Sequence, residues 1–112
     1  MNAFRLLESS PVVANVDVVD HKRWATGSYT RLIAELVDES KLFVREYVDE
    51  HERRYSYHWQ SKDDALISRW DNAPHHRNLP TFPAHCHKEG NVLPSKATTL
   101  LDVLEIIKSE LE

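Results

Sequence analysis

The 112-residue sequence contains two glycines, one cysteine and no long apolar run. So few glycines leave no Gly-rich phosphate loop, no dinucleotide-binding fingerprint and no flexible linker. The lone cysteine, Cys86, has no partner for an internal disulfide. A membrane helix needs a run of about 18 apolar residues or more, and none exists. The first residues, Met-Asn-Ala-Phe-Arg-Leu-Leu-Glu, carry charges at Arg5 and Glu8 and make a poor signal peptide. A cytoplasmic location is therefore the default expectation. No Ser-His-Asp triad and no Walker sequence can be assembled, and internal repeats and low-complexity segments are absent.

With 41% apolar and 29% charged residues, the composition is that of a globular protein able to build a core without staples. One domain over 1–112 is expected. The net charge of −4 is unevenly spread. Residues 53–88 hold six basic residues against three acidic, whereas the rest of the chain holds eight against fifteen. The basic segment also carries five of the seven histidines and two of the three tryptophans, all between Tyr55 and His87. A core does not call for histidine at that density. Groups that titrate near neutral pH, bond in either direction and ligate metals are gathered in one place. An anionic ligand such as a phosphodiester suits that segment, although a charge balance of this size also occurs without one.

The hydrophobic pattern predicts an α+β domain. Residues 3–8 fit a short helix or arm, ended by Ser9-Ser10-Pro11. Five strands then follow at Val12–Lys22, Tyr29–Val37, Leu42–Asp49, Arg53–Gln60 and Ala65–Asp71, most with period-2 alternation. Their short connections predict a mostly antiparallel meander of five to six strands. Residues 1–71 thus form the arm and sheet. Residues 72–97 form a long His/Pro-rich loop, because Pro74, Pro80, Pro83 and Pro94 disfavour helix and central strand. A brief strand through His85-Cys86-His87 is compatible with this. Residues 98–111 form a helix capped by Thr98 or Thr99, with Thr99 and Asp102 spaced as a capping box. Its apolar stripe runs through Leu100, Leu104, Ile107 and Leu111, widened by Leu101 and Val103. It should cover one sheet face and leave the other open or available to a partner.

Three ordered motifs carry a family resemblance. They are Tyr55-Ser-Tyr57-His58-Trp59, Arg69-Trp70-Asp71-Asn72-Ala-Pro74-His75-His76, and Phe82-Pro83-Ala-His85-Cys86-His87, with Pro94-Ser95 before the terminal helix. In this order they resemble the TumE family, small proteins of bacterial and archaeal toxin–antitoxin pairs. The close match covers residues 53–107, and residues 1–52 agree only in strand pattern. The resemblance implies a toxin role and a helix-turn-helix antitoxin as partner, without fixing a mechanism.

Three readings of the chemistry remain open on the residues alone. The first is a metal-independent, histidine-based ribonuclease with no cofactor. His58, His75, His76, His85 and His87 are its acid–base candidates and Arg69 its phosphate contact. Tyr55, Tyr57, Trp70, Asp71 and Asn72 would bind substrate, the aromatics by stacking on bases. Core packing is the plainer reading for each aromatic, and an ordinary ion pair the plainer one for Arg69 with Asp71. The second is a divalent transition-metal site, with His85 and His87 on one side of an extended segment, His75 or His76 completing it and Asp71 as oxygen ligand. The third is a non-catalytic binding module. An exposed sheet edge also suits a homodimer.

Overall fold

The computed structural model describes residues 2–112. A short helix α1 (Asn2–Glu8) leads into seven strands: β1 (Val13–Trp24), β2 (Gly27–Leu36), β3 (Lys41–Val48), β4 (Arg53–Gln60), β5 (Leu66–Asp71), β6 (His85–Lys88) and β7 (Asn91–Pro94). Helix α2 (Leu100–Leu111) closes the described chain. The strands lie in sequence order in one sheet, and every neighbouring pair is antiparallel.

Period-2 alternation sorts the side chains of this sheet. Leu32, Ala34 and Leu36 of β2, Leu42 and Val44 of β3, Tyr55, Tyr57 and Trp59 of β4, Trp70 of β5 and Cys86 of β6 point to one face. Both helices cover that face, α1 through Ala3 and Leu7, α2 through Leu100, Val103, Leu104 and Ile107. Leu101, expected to widen the helix stripe, is half exposed, and Leu111 is only partly buried. The capping box forms as expected: the Thr99 side chain accepts from Asp102 N at 3.2 Å, and Asp102 Oδ2 accepts from Thr99 N at 2.9 Å.

The covered face holds a polar seam. Tyr57 donates its hydroxyl hydrogen bond to the Glu46 carboxylate, and Arg53 Nη2 donates to the Tyr57 hydroxyl at 3.0 Å and to the Thr98 carbonyl at 2.7 Å. Thr98 N donates to the Tyr55 hydroxyl at 3.1 Å. These bonds tie the start of α2 to the middle of the sheet. Burial and the neighbouring Glu46 carboxylate push the Tyr57 phenol far above its ordinary pKa.

The sheet has one strand more than the five to six expected. β6 and β7 occupy part of the stretch read as loop, so the irregular segment shrinks to residues 72–84. The hairpin turns at Glu89-Gly90, with φ of 54° and 77°. Positive φ at both central residues matches the twist of a two-residue antiparallel connection. Pro94 closes β7, the sheet's edge strand, where a missing N–H breaks no ladder on the outer side.

Candidate functional site

The face opposite the helices is free of helix and is closed only near Asp71 and His85, where His76 of the 72–84 loop packs on it. Strand register sets its side chains in cross-strand rows. One row runs Ile33, Phe43, His58, Arg69, His87 across β2 to β6. The next runs Arg31, Arg45, Ser56, Asp71, His85. A third places Tyr29, Tyr47 and Arg54 side by side. Two grooves of about 320 and 410 Å³ lie on this face and share Arg45, Ser56 and Arg69 in their walls. Four arginines and three aromatics therefore border one continuous trough.

Arg69 is at its centre. Its Nε donates to Asp71 Oδ2 at 3.1 Å, and its Nη1 points at His58 Nδ1 at 3.3 Å. A guanidinium only donates, so His58 Nδ1 is the acceptor and carries a lone pair. The other ring nitrogen, Nε2, then holds the proton and donates to Gln60 Oε1 at 3.1 Å. Partial burial, followed by the charge of Arg69, lowers the His58 pKa below its ordinary value. The ring is thus a neutral base with its free nitrogen toward a cation.

On the other side of Arg69 stands a histidine cluster. His85 and His87 come from β6, and His76 from the 72–84 loop. The three rings are mutually edge-on, with centroids 4.7 to 5.6 Å apart. Asp71 organises them. Its Oδ1 accepts from Ala73 N at 3.0 Å and faces His85 Nε2 at 2.9 Å, while Oδ2 takes the Arg69 bond. His87 Nε2 stands 3.6 Å from Oδ2, too far for a hydrogen bond. His87 keeps 29% of its side chain exposed, whereas His85 keeps 2%. Burial is the main cause lowering the His87 pKa, opposed by Asp71 and reinforced by His85, His76 and Arg69.

Of the candidates read from the sequence, His58, Arg69, Asp71, His76, His85 and His87 meet on one face. His75 does not join them: it is exposed and lies outside the cluster. Tyr55, Tyr57 and Trp70, weighed as stacking platforms or core, have all three side chains buried on the helix-covered face. Asn72 is likewise committed to structure. Its Oδ1 accepts from Tyr55 N at 3.0 Å and its Nδ2 donates to Arg53 O at 2.7 Å, continuing the ladder beyond the end of β5. Asp71 positions its neighbours: its buried carboxylate meets Arg69, Ala73 N and His85. Reading motifs alone passed over Arg31, Arg45, Arg54, Phe43 and Tyr47, which the alternation of β2 to β4 places on the same face as His58.

Fold and site together define an α+β domain built on an antiparallel meander, with a histidine–arginine trough on its open sheet face. The chain belongs to the TumE family: the family model described as "Toxin TumE" matches residues 3–112. Comparison with curated proteins and with solved structures gives no significant match. No helix among the described residues is long and apolar enough to cross a membrane.

Proposed function

We propose that this chain is the toxin of a toxin–antitoxin pair and that it acts in the cytoplasm by cleaving RNA on its open sheet face. Membership of a toxin family supports the first half and makes an antitoxin, such as a helix-turn-helix protein, the expected partner. The observation that carries the second half is the placement of Arg69 between His58 and His87 on three adjacent strands. Cleavage through the 2′-hydroxyl is an in-line displacement. It needs a base on one side of the phosphorus, an acid on the other, and a cation at the equatorial oxygens. Two strand spacings put the His58 and His87 backbones about 10 Å apart, with the guanidinium between them.

In this reading His58 Nδ1 takes the proton of the 2′-hydroxyl. Arg69 releases its weak bond to His58 and binds the phosphate through its fork of N–H groups. His87, protonated once the substrate's negative charge is beside it, gives its proton to the departing 5′-oxygen. Asp71 holds Arg69 in line, and Arg31, Arg45 and Arg54 bind neighbouring phosphates. Phe43 offers ring surface for an unpaired base.

The test is induction of the chain without an antitoxin in a bacterial host, following growth and total RNA. Growth arrest with new RNA 5′ ends is expected, and both should vanish in a His58→Gln variant that still accumulates as folded protein. Arrest with intact RNA would redirect the reading to a non-catalytic target-binding module.

A further inference from the structure

We infer that His76, His85, His87 and Asp71 form a binding site for a divalent transition metal such as zinc. The ligand atoms of the three histidines lie within 4.8 Å of one another. Two of the rings come from β6 and the third from the proline-rich loop, so an ion there would fasten residues 72–84 to the sheet.

His85 supplies the strongest reason. Its Nδ1 is 2.9 Å from the Pro83 carbonyl, which can only accept, so Nδ1 carries the proton. Nε2 is thereby the ring atom turned toward Asp71 Oδ1, 2.9 Å away. The surroundings are those that metal-bound histidines require: the far ring nitrogen donates to a backbone carbonyl, fixing tautomer and orientation. Asp71 is also held in place from outside, by Ala73 N.

Geometry and chemistry agree on the kind of ion. Three imidazoles and one carboxylate form a borderline donor set that suits zinc or nickel better than calcium or magnesium. Ligand atoms of a tetrahedral zinc lie about 3.3 Å apart, so the widest separation in the cluster must contract by about 1.5 Å. His76 sits on the loop and His87 is not locked to Asp71, so both rings can make that movement. His75, exposed on the same loop, takes no part.

An ion bound through His87 would take that ring out of its acid role, so the metal-bound and RNA-cleaving states exclude each other, and the test of the site uses no RNA. Metal-free protein would be titrated with Co²⁺, followed by the visible absorption of a four-coordinate site, and then with competing Zn²⁺. One ion per chain is expected, displaced by zinc, with affinity lowered on the order of 100-fold in His76→Ala and in His87→Ala. His75→Ala should bind as the wild type does. His85→Ala is unsuitable alone, since that side chain is buried, and circular dichroism would verify the fold of the other variants. Absence of a four-coordinate cobalt spectrum in the wild type would overturn the site. So would affinity unchanged in both the His76 and His87 variants.

Discussion

His58 owes its chemistry to two neighbours. Arg69 on β5 fixes which ring nitrogen is free, and Gln60 on its own strand holds the other. Phe43 meets the ring edge-on from β3, and Arg45 lies in the same groove. A histidine kept neutral in the fold binds its proton more readily once unfolded. The stability it contributes is therefore present above the unfolded pKa and is lost as pH falls from that value through the lower folded one. Denaturant midpoints should drop between about pH 7 and about pH 5, and by less in His58→Gln than in the wild type. Arg69→Lys keeps the charge and loses the fork. It should lower RNA cleavage by about tenfold or more while leaving the melting midpoint near that of the wild type, as a turnover assay with a thermal melt would register. Gly27 is constrained differently. A β-carbon there would stand 2.1 Å from the Val48 carbonyl oxygen, so Gly27→Ala should cost about 1–3 kcal/mol in denaturant unfolding.

Among the elements, the legibility of the sequence was uneven for physical reasons. β2 to β5 announced themselves through alternation, and the boundaries of β4 coincide with those read from the pattern. The β6–β7 hairpin was legible only as a brief strand through His85-Cys86-His87, because each strand has only four residues, and its turn, Glu89-Gly90, lacks the usual Asn-Gly signal. The motif around Tyr55, Tyr57 and Trp59 contained both a site and a core. Alternation separated the aromatics from His58, but which set met the helices depended on the long-range docking of α1 and α2. Leu101 was misread because a helix stripe counted by apolarity alone is wider than the face that touches the sheet. Thr99 was readable from spacing, and Thr99→Ala should destabilise the protein by about 1 kcal/mol, as a urea melt would register.

At the scale of the whole molecule, the architecture is a slab of 37 × 35 × 21 Å with helices on one side and a bare, arginine-bordered sheet on the other. The net charge of −4 hides this polarity, since the arginines of the trough come from four different strands. Binding of a single-stranded RNA should weaken with salt. The logarithmic slope should fall by about 0.7 for each phosphate contact removed, so Arg45→Ala with Arg54→Ala should flatten it by about 1.4. Filter binding across a salt series would check this. A slope unchanged in the double variant would move the nucleic acid off this face.

The most direct measurement is incubation of purified protein with an end-labelled single-stranded RNA in the presence of a chelator, with analysis of the new ends. The expected product carries a 2′,3′-cyclic phosphate and a free 5′-hydroxyl, and its formation is lost in both His58→Gln and His87→Gln. Intact RNA, or cleavage that survives both substitutions, would contradict a catalytic centre built around Arg69.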